Sequence, residues 1–121
     1  MSRALDDLDA RFLPQASALL ARAAEIQIPL LIVCTRRTVA EQAVALATGH
    51  SWVTHSKHLD GLAMDVVPYA QFTLHGTNKL QWNVDDPAWA TLAALAERLG
   101  LRSGYRWQQK DAGHVELPET P

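Results

Sequence analysis

Helical and extended patterns alternate along this chain in the order α, β, α, β, α, β, β, which restricts it to folds where helices pack on a small sheet. From Leu5 the apolar residues Leu8, Phe12, Ala16, Leu19, Ala23 and Ile26 recur at steps of three and four, which predicts a helix over 3–26. Pro14 falls inside it without an amide to donate, so a kink or restart is expected there. The run 30–34, LLIVC, reads as a short strand buried on both faces. Thr38, with Glu41 three residues on, forms a capping box that opens a helix running to Gly49. Residues 62–67 read as a strand and 69–84 as a loop or short hairpin around Gly76. Asp86 and Pro87 then start a helix whose apolar face is Trp89, Leu92, Ala93, Ala96 and Leu99, closed by Gly100. Two last strands are predicted over 101–107 and 114–117. The expected fold class is α+β, with helices on a small, mostly antiparallel sheet.

No repeat, low-complexity tract or Gly/Ser linker divides the chain, so residues 1–121 are read as one domain. Eleven Lys and Arg against thirteen Asp and Glu give a formal charge of −2, without the basic excess that nucleic-acid binding draws on. The longest apolar run, 28–34, falls far short of the ~20 residues that cross a bilayer, so no membrane span is expected. The N-terminus mixes acidic and apolar residues and lacks the pattern of a secretory signal, which predicts synthesis in the cytoplasm without export. Cys34 is the only cysteine, which rules out an internal disulfide and a Cys-rich zinc site, so any metal must be held by His and carboxylates.

Two clusters carry chemistry. In 56–65 an imidazole, His58, precedes a carboxylate, Asp65, by seven residues, and 111–116 adds Asp111, His114 and Glu116. Two imidazoles and a carboxylate are a ligand set that catalytic zinc accepts, with one position left open for water. His58, Asp65 and His114 are therefore the candidate ligands, leaving Asp111 or Glu116 to take a proton from the water. Gly61 permits a tight turn between the first two ligands, and Ala63 leaves room beside them. His50, His55 and His75 have no partner at such a spacing and read as surface or supporting residues. Of the four tryptophans, Trp89 reads as core, while Trp107 either walls the cleft or joins the core.

Ser56, His58, Gly61, Ala63 and Asp65 reproduce the S-x-H-x-x-G-x-A-x-D signature, and the chain thereby resembles the zinc D-alanyl-D-alanine-type peptidases, a group with VanY-like carboxypeptidases and phage L-alanyl-D-glutamate endolysins. Chance yields such a match in a chain this long on the order of once in ten thousand. The resemblance extends over 30–117, through Arg36-Arg37-Thr38 and Glu41-Gln42 upstream and Asp111-x-x-His114 downstream. It implies a hedgehog/D,D-peptidase-like fold, zinc held by His58, Asp65 and His114, Asp111 as the general base, and Arg37 as the cation facing the substrate carbonyl. Arg36 is the rival for the last role, because it stands where the family has tyrosine, and Glu116 is the rival for the base. Ser56 either contacts substrate or orients its loop.

An aspartate at 111 resembles the L-alanyl-D-glutamate branch. The expected function is thus a zinc endopeptidase of the peptidoglycan stem peptide, endolysin-like, monomeric, and dependent on a holin-like partner to reach the wall. A D,D-carboxypeptidase or dipeptidase of the same family, with Arg36 and Arg37 binding the free carboxylate, and a non-catalytic zinc-containing wall-binding module are the alternatives.

Overall fold

The computed structural model of the chain describes residues 1–49, 51, 56–69 and 80–118. The N-terminal apolar residues do bury one face, Leu8, Phe12, Ala16, Leu19 and Ala23 all lying inside, but not as one helix. A single 3-10 turn at Leu5–Asp7 precedes helix α1 at Leu13–Glu25. Pro14 explains the restart: it sits in the first turn of α1, where its missing amide has no partner to lose. Just upstream, the Asp9 carboxylate accepts from the Arg11 amide and turns the chain.

Strand β1 (Leu30–Cys34) leads to helix α2 (Val39–Ala47), strand β2 (Ala63–Pro68) and helix α3 (Pro87–Arg98). The capping box of α2 closes in both directions, Glu41 N donating to Thr38 Oγ1 at 3.1 Å and Thr38 N to Glu41 Oε1 at 2.9 Å. Asp86 caps α3 by accepting from the Ala88 amide. The strand predicted over 101–107 shrinks to β3 (Arg102–Ser103), because the Ser103 hydroxyl accepts from the Tyr105 amide and bends Gly104–Arg106 into a 3-10 turn. Strand β4 (His114–Glu116) ends the fold. Of the expected loop or hairpin after β2, the described residues include an isolated bridge between Tyr69 and Leu80; Gly76, like His50, Trp52, His55 and His75, lies outside them.

The four strands form one antiparallel sheet in the order β1-β2-β4-β3, so the α+β class is as expected. β1 is an edge, which corrects the expectation of a strand buried on both faces: Leu31 is 45% exposed. Met64, Val66 and Val115 join Phe12, Leu19, Trp89 and Leu92 in the core. Alternation along β2 and β4 then sends Asp65, His114 and Glu116 to the opposite face. The register sets Cys34, Asp65 and His114 side by side on three neighbouring strands. A bulge between Ile32 and Cys34 in β1 brings the cysteine opposite Asp65. No helix among the described residues is long and apolar enough to cross a membrane.

Candidate metal centre

His58 reaches the sheet from the turn before β2. Ser56 Oγ accepts from the His58 amide at 3.2 Å, and Gly61 takes a left-handed φ of +70°. A side chain at 61 would strike the Asp9 amide and the Arg36 guanidinium, so the turn requires glycine there. Arg36 clamps this turn to the N-terminal segment, donating from Nε to Asp7 O (2.9 Å) and from its two Nη atoms to Leu59 O (3.4 Å) and Asp60 O (3.3 Å).

The inner nitrogens of the two histidines converge on one carboxylate. His58 Nε2 lies 3.2 Å from Asp65 Oδ2, and His114 Nδ1 lies 3.2 Å from Asp65 Oδ1. The outer nitrogens are occupied by acceptors: His58 Nδ1 donates to Thr35 O at 2.6 Å and His114 Nε2 to Glu116 Oε1 at 2.9 Å. A carbonyl and an ionised carboxylate only accept, so each ring carries a proton on the outer side and, when neutral, turns a lone pair toward Asp65. His58 Nε2 is buried without a hydrogen-bond partner among the described residues. Lone pairs aimed at a carboxylate call for positive charge between them. In the metal-free chain that charge is a second proton on the inner nitrogen: burial opposes it on both rings, but Asp65, with Cys34 beside His58 and Glu116 beside His114, outweighs burial, pushing the His58 pKa up to about 10 and that of His114 in the same direction. Burial would raise the Asp65 carboxyl, but the two imidazoles hold it well below the usual carboxylate range.

Each imidazole stands from Asp65 at the spacing of two zinc donors, although the described residues do not bring one donor atom of each histidine and of Asp65 together within 4.8 Å. Two atoms each 2.0–2.1 Å from a tetrahedral ion stand roughly 3.3 Å apart, against 3.2 Å for both His–Asp pairs here. Outer nitrogens fixed by a carbonyl and a carboxylate are the usual support of metal-binding imidazoles. Two sets of donor atoms within 4.8 Å of one another share Asp65: Cys34 with His58, and Asp111 with His114. The thiol, whose participation the sequence spacing gave no reason to expect, lies 3.7 Å from the outer nitrogen of His58, beside the Thr35 carbonyl that already occupies it.

Asp111 Oδ2 stands 4.0 Å from His114 Nδ1, on the lone-pair side of the ring. Burial and the charge of Asp65 raise its pKa. Arg37 places Nη2 3.5 Å from Asp65 Oδ2 with its side chain 10% exposed. A cavity of about 620 Å³ opens beside Arg37 and Asp65, with Val33, Ala40 and Val44 among its walls. The Trp107 ring lies 5.0 Å from the His114 ring, tilted 43°.

Three readings from the sequence narrow. Arg36 has its donors engaged with backbone carbonyls of the clamp, away from Asp65. Ser56 is 6% exposed and its hydroxyl holds its own turn, the loop-orienting one of its two readings. Glu116 does point to the same face as His114, but it lies behind the ring, held to Lys57 Nζ at 3.2 Å and bonded to the outer nitrogen. Burial alone would raise its carboxyl; His114 and Lys57 lower it. Its position suits a support for His114 rather than a base. The sequence reading also left Gln42 without a role, although its amide oxygen accepts from Arg37 Nη1 at 3.0 Å.

Two imidazoles beside one carboxylate are donor types that metal-dependent hydrolases use. Residues 37–117 match the family model of the D-alanyl-D-alanine carboxypeptidases, and the chain belongs to that family of peptidoglycan-acting metallopeptidases. The fold is similar to that of the Serratia marcescens L-Ala D-Glu endopeptidase ChiX, 23% identical with a TM-score of 0.71, covering 94% of this chain and 83% of that one. It is also similar to the vancomycin-resistance D,D-pentapeptidase VanY of a VanB-type cassette, solved as a variant in complex with Zn(II), at 17% identity and a TM-score of 0.62 over 91% of this chain and 72% of that one. No curated protein sequence gives a significant match.

Proposed function

We propose that this chain is a zinc-dependent endopeptidase that hydrolyses the peptidoglycan stem peptide between L-Ala and D-Glu. The observation that carries the reading is the convergence of His58 Nε2, Asp65 and His114 Nδ1, with Asp111 and Arg37 beside them. In this reading those three residues hold the metal. Zinc so held supplies a Lewis acid and a water acidified to about neutral pH. Asp111, its carboxyl pKa raised, takes the proton of the attacking water and passes it to the leaving amine. Arg37 offers fixed positive charge to the oxygen of the scissile carbonyl as it is attacked. Trp107 keeps one wall of the cleft apolar.

The bond assignment draws on Asp111, the residue that the resemblance associates with the L-alanyl-D-glutamate branch, and on the likeness to ChiX, an L-Ala D-Glu endopeptidase. It is further supported by Arg36, whose engagement in the clamp removes one of the two cations that the carboxypeptidase reading relies on. An endolysin-type setting, in which a holin-like partner admits the monomeric enzyme to the wall, is part of the proposal; active protein outside cells that lack any holin contradicts it.

The deciding experiment is digestion of purified peptidoglycan by zinc-loaded protein, before and after chelation, with mass spectrometry of the fragments. Fragments with a free N-terminal D-Glu, lost on chelation and restored by zinc, are expected. Release of terminal D-Ala selects the carboxypeptidase, and bound zinc without cleavage selects the wall-binding module. Glu116→Ala, which strips His114 of its support, is expected to weaken zinc binding about 10- to 100-fold in competition with a chromophoric chelator; unchanged affinity removes Glu116 from the centre.

A further inference from the structure

Only Gln42 and Ala45 of α2 are buried, and Gln42 is 2% exposed. A polar side chain in such a place is costly unless it is hydrogen-bonded, and an apolar one would pack there without that demand. Both ends of the Gln42 amide are engaged. Oε1 accepts from Arg37 Nη1 at 3.0 Å, and Nε2 donates to Ser51 Oγ at 2.8 Å. Turning the amide over would set donor against donor at Arg37, so the side chain has one sense of attachment.

Arg37 shows why that matters. Its other terminal nitrogen, Nη2, is the one 3.5 Å from Asp65, while Nε is buried without a hydrogen-bond partner among the described residues. A long, flexible side chain is thus aimed by one neutral acceptor on one side and the Asp65 carboxylate on the other. Neutrality counts: a carboxylate in place of the amide would set a second anion on the guanidinium besides Asp65, whereas an amide orients it and adds no negative charge.

We infer that Gln42 is a positioning residue, holding the Arg37 guanidinium in the pose that meets developing charge on the substrate carbonyl. The inference rests on the role proposed above for Arg37, and it adds a residue from a helix that contributes no ligand.

The test is a double-mutant cycle on a stem peptide with zinc-loaded wild type, Gln42→Met, Arg37→Ala and the double variant. Methionine keeps the length and volume of glutamine and suits a helix; Gln42→Leu is the second variant should the first fail to fold. Gln42→Met is expected to lower kcat about 10- to 100-fold, with KM changed less than about twofold and zinc content unchanged. In the Arg37→Ala background the same substitution is expected to change kcat by less than about twofold, because its effect passes through Arg37. A loss of equal size in both backgrounds makes Gln42 a packing residue and overturns the inference. Side-chain NMR of 15N-labelled protein reads the positioning without turnover: one ordered set of Arg37 guanidinium signals in the wild type, averaged in Gln42→Met. If the wild type cleaves no stem peptide, the proposed function fails while the spectrum still decides the positioning; identical Arg37 signals in both proteins refute it.

Discussion

Asp111→Ala is expected to retain one zinc per chain and to lose about 10²- to 10⁴-fold in kcat, the range that a positioned general base contributes. The separation of the two effects follows from how residue 111 is built in. Its main chain does structural work: the amide donates to Gly104 O at 3.0 Å, and the carbonyl accepts from the His114 amide at 3.1 Å. Alanine preserves both. The carboxylate, in contrast, is 43% exposed and stands 4.0 Å from His114 Nδ1, too far to be needed for the ring's orientation, which Glu116 and Asp65 supply. Zinc content by atomic absorption and steady-state hydrolysis of a stem peptide test the two halves. Wild-type turnover in this variant would move the base elsewhere and remove the central role given to Asp111.

Gly113→Ala is expected to cost about 3 kcal/mol, the upper end of what overpacking costs, and to weaken zinc binding with it. A Cβ at 113 would overlap the backbone carbonyl oxygen of Val66 in β2, and Val66 N donates to Gly113 O at 2.9 Å. Neither atom can swing aside as a side-chain tip could. The strands must part, and the residue carried with them is His114, the next in the chain, whose partner across the register is Asp65. Chemical denaturation with and without zinc measures both effects. A variant as stable as the wild type, with the same zinc affinity, would mean that β4 has slack at this point.

Much of this was legible in the sequence where the signal is local. Thr38 with Glu41, and Asp86 with Pro87, cap the helices they mark because the partners lie within one turn. The candidate donors His58, Asp65 and His114 were legible as residue types suited to zinc, and the structure sets each imidazole 3.2 Å from Asp65. What stayed hidden depends on partners far along the chain. The Arg36 clamp joins Asp7, Leu59 and Asp60, carbonyls that no spacing reveals. Glu116 shares a face with His114, as alternation requires, but which side of the ring it approaches is settled by Lys57 and the sheet register. Residues 8–12 keep a helical apolar period without being α-helical, since burial selects only which side chains face inward, and Pro14 decides where the helix begins.

Asp65 and His114 face each other on one rung of the ladder, with Cys34 beside them. Sheets of short strands tolerate alternative alignments, and a slip of one residue exchanges the two faces of a strand. Such a slip in β4 would turn Val115 outward and bury His114 among the aliphatic side chains. A metal bound across this rung, as proposed, therefore stabilises a single alignment and none of its neighbours. The ion would proofread the sheet as well as serve the reaction, and apo-protein would be expected to show its extra freedom first in the pairing of β4.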